Sequence, residues 1–76
     1  MMNLNEFVKI FAAQFENTPP EQFTPETVFK NLEEWDSLAV LSIVSMVDEE
    51  FEKTITGANL RSIITIEDLF IFVKSL

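Results

Sequence analysis

Apolar residues recur at helical intervals through the first segment of the chain, which ends at two consecutive prolines. The apolar positions fall at i, i+3, i+4, i+7 and i+11, on one stripe of a helix: Leu4, Phe7, Val8, Phe11 and Phe15. Asn3 or Asn5 is placed to cap this helix, and Thr18-Pro19-Pro20 is placed to end it. The pattern predicts a helix whose phenylalanines fill a core rather than form a cofactor-binding box.

A second and stronger helical pattern covers Asp36 to Glu52. At 100° per residue, one side is apolar and is expected to face the core: Val40, Ile43, Val44, Val47 and Phe51. The opposite side carries Ser42, Ser45 and Glu49 together with two leucines. Because the core stripe is complete without them, Leu38 and Leu41 are expected to be exposed.

The rest of the chain predicts a short helix or a turn over 58–63 and a final helix capped by Thr65. The final helix has its own apolar stripe: Ile66, Leu69, Phe70 and Val73. Gly57, the only glycine, is expected to turn the chain after the long helix. No segment alternates long enough to require a strand, so the prediction is a single all-α domain spanning 1–76, with three longer helices and one short helix before the last.

A long connection from Asn17 to Trp35 separates the first two long helices and contains all three prolines. A loop of this length in a compact domain is usually functional or pinned to the core. We expect a pinned loop, in which three apolar residues enter the core: Phe23, Phe29 and Leu32. Thr24 and Pro25 are placed to open one turn of helix within the loop.

The amino-acid composition excludes most kinds of catalytic site, the usual zinc sites and disulfide bonds. The 76 residues include no histidine and no cysteine, and the formal net charge is −8. The chain therefore has no imidazole base, no thiolate nucleophile, no zinc site of the usual ligand type and no disulfide. The acidity argues against nucleic-acid binding, and no stretch is apolar enough to span a bilayer. These properties predict a binding, carrying or adaptor module rather than an enzyme.

The negative charge is concentrated in one region. Residues 33–52 contain seven acidic residues and no lysine or arginine, whereas the rest of the chain contains six acids and five bases. Glu33, Glu34 and Asp36 lie near a helix N-terminus, where the macrodipole favours acids. Asp48 to Glu52 lie near the C-terminal end, where the macrodipole does not. They form either a solvated helix face or a surface that steers basic partners, and the charge pattern leaves both readings open.

Asp36-Ser37-Leu38 stands at the start of the second long helix. An Asp-Ser pair before an apolar run is often only an N-cap. With no histidine in the chain, Ser37 cannot be a self-activated nucleophile. A hydroxyl in the first turn of a helix is, however, well placed to hold a phosphate ester, because free backbone N–H groups bind phosphate.

The chain resembles the acyl carrier protein family along most of its length. The Asp36-Ser37-Leu38 motif is followed by a mostly apolar helix that ends at Phe51, and Thr27 to Leu32 and Ile64 to Leu69 match the family's flanking segments. The resemblance implies the family's antiparallel bundle of three longer helices and one short helix. It also implies that Ser37 carries 4′-phosphopantetheine through a phosphodiester, with Asp36 and Leu38 as motif flanks.

The resemblance further implies the partners of a non-catalytic carrier. A phosphopantetheinyl transferase attaches the arm from coenzyme A, and acyl-loading ligases or synthases dock on the second long helix through basic patches. The residues implied in docking are these: Leu38, Leu41, Asp48, Glu49 and Glu52. Ala39 and Ser42 stand where housekeeping fatty-acid carriers often have acids, and Trp35 where they usually have a small residue. These departures favour a freestanding carrier in a specialised lipid, polyketide or polysaccharide-linked pathway.

Two alternatives remain open at the level of sequence. The chain is a peptidyl or aminoacyl carrier, or it is an acidic helical adaptor that kept the fold and lost the arm. We expect a cytoplasmic monomer, because no targeting signal precedes the first helix and the net charge is high. No metal site is expected, because Asp48-Glu49-Glu50 lacks the spaced oxygens and glycine of a calcium loop.

Overall fold

The structure is a computed structural model that describes residues 2–76. Four α-helices follow one another along the chain: α1 (Leu4–Ala12), α2 (Ser37–Phe51), α3 (Gly57–Ser62) and α4 (Ile66–Lys74). Two 3-10 turns, Pro20–Gln22 and Phe29–Asn31, lie in the connection between α1 and α2. No strand occurs within residues 2–76, so the predicted all-α fold with a short helix before the last is confirmed.

Reciprocal capping boxes start three of the four helices. In each, the N-cap side chain accepts a hydrogen bond from the third helical residue's N–H, and that residue's side chain accepts one from the N-cap N–H. The pairs are Asn3 with Glu6, Thr56 with Asn59, and Thr65 with Asp68. The alternative cap Asn5 is therefore wrong, and the predicted cap at Thr65 is confirmed.

The first helix ends earlier than its apolar stripe predicts. Helix α1 stops at Ala12, whereas Thr18-Pro19-Pro20 lie well beyond it. Phe15 is nevertheless buried, because a tight turn, in which its N–H bonds to the Ala12 carbonyl at 3.0 Å, carries the ring back to the core. The helical spacing correctly identified Phe15 as a core residue but not the backbone that places it there.

The loop after α1 is held against the core and against α4, and the prediction of a pinned loop is confirmed. Phe23 and Phe29 are buried, and Leu32 packs against the core. Two loop carbonyls also accept hydrogen bonds from the first residues of α4: Thr27 O from Ile66 N at 3.1 Å, and Pro25 O from Glu67 N at 2.9 Å. The helical turn predicted after Thr24 is wrong: the Thr24 carbonyl accepts from Thr27 N at 3.0 Å in an isolated turn that does not continue.

The buried face of α2 is rotated relative to the predicted stripe. Ile43 and Val47 are fully buried as expected, but Ala39 and Met46 accompany them. Three predicted core residues are only half-buried against the edge of the core: Val40, Val44 and Phe51. On its Val40 side, α2 packs against the short helix α3, with Gly57 beside the Val40 side chain. The aromatic cluster of α1 and the loop supplies the deeper core.

The chain reverses after α2 at Glu52 and not at Gly57. Glu52 is the C-cap of α2 and has φ 55 and ψ 38, in the left-handed region. Gly57 is the first residue of α3 and has a negative φ. The prediction that the glycine turns the chain is therefore wrong, because an acidic residue occupies the position where a glycine is usually found.

Replacing Glu52 with glycine is expected to stabilise the protein. A residue with a β-carbon in the left-handed region costs about 1 kcal/mol, and the glycine also removes an anion from a helix C-terminus. We expect Glu52→Gly to raise the free energy of unfolding by about 0.5–1 kcal/mol, measured by urea denaturation. Glu52→Gln is the matched control, because it removes the charge but keeps the β-carbon. An equal gain in both variants would show that charge, and not backbone strain, is the cause.

Candidate functional site

The motif serine opens the second helix. Ser37 is the first residue of α2 and is exposed, and Asp36 is its N-cap. The Asp36 carboxylate accepts a hydrogen bond from Ala39 N at 2.9 Å, and the Asp36 carbonyl accepts one from Val40 N at 3.0 Å. The N-cap interpretation of the aspartate is thus correct, and it is compatible with a modified serine next to it.

The start of α2 can accommodate a phosphate ester on Ser37. The first N–H groups of a helix have no partner within the helix, and they bind anions together with the positive end of the dipole. Because Asp36 accepts from Ala39 and Val40, the N–H groups of Ser37 and Leu38 are those left for an outside acceptor. A phosphodiester at Ser37 would meet them, although the Asp36 carboxylate opposes part of this attraction.

Glu34 holds the segment before the serine in place. One of its carboxylate oxygens accepts hydrogen bonds from Asn17 N, at 3.0 Å, and from the Thr18 hydroxyl. These bonds join the end of the α1 turn to the residues that lead into α2. Sequence reasoning placed Glu34 among acids that favour a helix N-terminus and missed this role, because its partners lie 16 and 17 positions away.

Trp35 holds the same segment, the residues before Ser37, in place through apolar contacts. Its half-buried ring lies 4.8 Å from the Phe29 ring and 6.4 Å from the Phe15 ring, measured between centroids. Trp35 therefore packs on both the loop and the α1 turn, immediately before Asp36. The large side chain at this position therefore stabilises the backbone just before α2.

The residues predicted to meet partners lie along the exposed side of α2. Leu38 and Leu41 are 72% and 62% exposed, which confirms their predicted exposure, and both lie within a turn or so of Ser37. Asp48, Glu49 and Glu52 are also exposed, but at the other end of the helix. At 1.5 Å per residue, these acids lie about 16–23 Å from Ser37 along the axis. The leucines and the serine thus form one cluster, and the acids form another.

Two shallow grooves border this side of α2. The first has a volume of about 540 Å³ and runs between Asp36 on α2 and the turn after α1. The second, of about 590 Å³, continues along α2 to Glu49 and Glu50. Gln14, Leu38 and Ser42 line both grooves. The grooves thus run beside Asp36 and Leu38, the residues on either side of the exposed serine.

A comparison with known protein families covers most of the chain. A family model described as a phosphopantetheine attachment site matches residues 6–73. The chain belongs to this family, whose domains carry a covalently attached 4′-phosphopantetheine. It is a phosphopantetheine-bound carrier protein, of a kind that is generally not catalytic. No curated protein matches the sequence at a significant level.

The residues at the start of α2 fit the prosthetic group of the family. Ser37 is exposed, the first-turn N–H groups are placed for a phosphate, and grooves lie beside its neighbours Asp36 and Leu38. When bound, the group supplies the terminal thiol that the sequence lacks, and this thiol holds a cargo as a thioester. Within residues 2–76, no helix combines the length and the apolar character that crossing a membrane requires.

Proposed function

We propose that residues 1–76 form one acyl carrier domain in which Ser37 bears the 4′-phosphopantetheine arm. The observation that carries the proposal is the position of Ser37 within the matched family region, exposed at the first position of a capped helix. Asp36 caps that helix, and Leu38 offers an apolar contact next to the arm. Glu34 and Trp35 hold the backbone that leads to the serine.

Attachment requires an external enzyme. The Ser37 oxygen forms the bond to the phosphorus of the pantetheine phosphate, and the nucleotide half of coenzyme A leaves. The chain has no histidine to accept the hydroxyl proton, so the transferase supplies the base. Incubation with coenzyme A, magnesium and a broad-specificity phosphopantetheinyl transferase should add the mass of one phosphopantetheine. An unchanged mass, with several transferases tried on folded protein, would instead favour the unmodified adaptor.

The class of cargo can be identified from the kind of enzyme that loads the modified protein. We propose an acyl group from a specialised lipid, polyketide or polysaccharide-linked pathway, because the first half of the docking helix is uncharged at Ala39 and Ser42. Loading of the modified protein by acyl ligases and not by amino-acid-adenylating enzymes would support this assignment. The reverse preference would identify a peptidyl or aminoacyl carrier.

We further propose that the acidic end of α2 steers partner enzymes that have basic docking patches. Residues 48–52 present four exposed or half-exposed acids without a neighbouring base before Lys53, and the Lys53 ammonium donates to the Leu76 carbonyl at 2.7 Å. Its charge is thus directed toward the C-terminus of the chain. Clustered charges of one sign raise association rates with oppositely charged partners, and added salt weakens the effect.

Neutralising this acidic end should slow modification by the transferase. For the triple variant Asp48→Asn, Glu49→Gln, Glu52→Gln, we expect kcat/KM at low ionic strength to fall about tenfold and to lose most of its salt dependence. The matched control removes the same charge at three exposed acids elsewhere: Glu21→Gln, Glu26→Gln and Glu67→Gln. Equal losses in the two triple variants would mean that total charge, and not the end of α2, steers the partner.

A further inference from the structure

The two grooves beside α2 adjoin one another and begin next to Ser37, at its neighbours Asp36 and Leu38. They share Gln14, Leu38 and Ser42, and the first groove also contains Asp36, which precedes Ser37. The second groove continues past Ser45 to Glu49. We call the two together the α2 groove. An arm attached at Ser37 could enter it directly, by passing Leu38.

The opposite side of α2 is more closed. There α3 packs against the helix, and a β-carbon at Gly57 would lie only 3.7 Å from the Val40 side chain. Val40 and Val44 are already half-buried against the core. An arm leaving Ser37 therefore meets a packed helix on one side and an open groove on the other.

The lining of the α2 groove matches the chemistry of a pantetheine chain. Such a chain alternates amide groups with short aliphatic stretches. The groove offers the Ser42 and Ser45 hydroxyls and the Gln14 amide as hydrogen-bonding groups, and the exposed Leu38 and Leu41 side chains as apolar contacts. The Gln14 side-chain nitrogen donates to the Ile10 carbonyl at 3.2 Å, which fixes the side chain and leaves its own carbonyl oxygen as an acceptor.

We propose that the α2 groove is the resting site of the prosthetic arm. Gln14 and Ser42 hydrogen-bond to the amides of the arm, and Leu38 and Leu41 contact its aliphatic parts. The arm thereby lies between α2 and the turn after α1, away from α3. This proposal rests on the proposed attachment at Ser37 and adds a specific path for the arm.

The absence of cysteine makes the proposal directly testable. Because the chain has no thiol of its own, a maleimide nitroxide reacts only with the terminal thiol of the arm. After intact mass has confirmed the modified protein, the label should broaden the backbone amide signals of Gln14, Ser42 and Ser45 most strongly. The signals of Ala58 and Arg61, exposed on α3, should broaden at least threefold less. Chemical-shift differences between the apo and unlabelled modified forms should centre on the same groove residues.

Filling the groove should displace the arm. In Ser42→Leu, we expect the broadening at Gln14 to fall at least twofold, whereas Ala58→Leu, a matched addition on α3, leaves it unchanged. Strongest broadening on α3, or uniformly weak broadening from an arm free in solvent, would overturn the proposal. A parent chain that gains no mass would instead overturn the attachment at Ser37, so the two failures are distinguishable.

Discussion

Ser37→Ala should take up no phosphopantetheine under conditions in which the parent chain is fully modified. Alanine has no hydroxyl to form the phosphodiester, so the expected loss is complete rather than graded. Ser37 is exposed and begins α2, and alanine is the best helix former. The variant should therefore stay folded, with a free energy of unfolding within about 0.5 kcal/mol of the parent. Intact mass spectrometry after incubation with coenzyme A and transferase measures the result.

Two exposed serines elsewhere provide the controls for this experiment. Ser62 and Ser75 each donate a hydrogen bond to a nearby backbone carbonyl at the end of a helix. Ser62→Ala and Ser75→Ala should be modified like the parent, because neither side chain lies at a helix start. If Ser37→Ala still gained the mass of the arm, the attachment site would lie elsewhere in the chain. Circular dichroism must show equal helix content for the result to be interpreted.

The local features of this fold could be read from the sequence because each depends on neighbouring residues. Apolar spacing indicated α1, α2 and α4, and the Asp36-Ser37-Leu38 motif indicated the start of α2, whereas attachment at Ser37 stays a prediction. In the capping box of α4, for example, the two hydrogen-bonded residues, Thr65 and Asp68, are only three positions apart. Such contacts are decided by helical geometry alone.

The features that could not be predicted depend on contacts between distant residues. Glu34 bonds to the turn after α1, and no local pattern distinguishes it from Glu33 beside it. Met46 faces the core because α2 is rotated toward the aromatic cluster, which only the packed arrangement of helices determines. The left-handed Glu52 was missed because local preference favoured the nearby glycine.

The core that supports the site is organised around Phe11. Its ring is fully buried and lies near four other phenylalanine rings, with centroid distances from 5.5 to 6.5 Å. Phe7 and Phe15 come from α1 and the turn that follows it, whereas Phe23 and Phe29 come from the loop. Phe11 thus joins the first helix to the loop that leads to Trp35 and Ser37. Few other single residues connect so many parts of the chain.

Phe11→Ala should therefore remove most of the stability of the fold. Removing a buried phenylalanine costs about 3–5 kcal/mol, because apolar contacts are lost and a cavity remains. A domain of this size has a free energy of unfolding of about 5 kcal/mol, so little would be left. Urea denaturation, followed by the fluorescence of the single tryptophan, Trp35, measures the loss. Phe11→Leu, which keeps most of the volume, should remain folded and lose about 1–2 kcal/mol.

A matched substitution on α4 tests whether the large loss of stability is specific to Phe11 or is common to other phenylalanines. Phe72 is only half-buried and packs at the edge of the core, so Phe72→Ala should cost much less, about 1 kcal/mol. If the two alanine variants were equally destabilised, Phe11 would not be the centre of the core. If instead Phe11→Ala lost helix content while Phe72→Ala did not, the connection between α1 and the loop would be what keeps the Ser37 segment in place. The stability of this small carrier and the presentation of its attachment residue would then depend on the same buried ring.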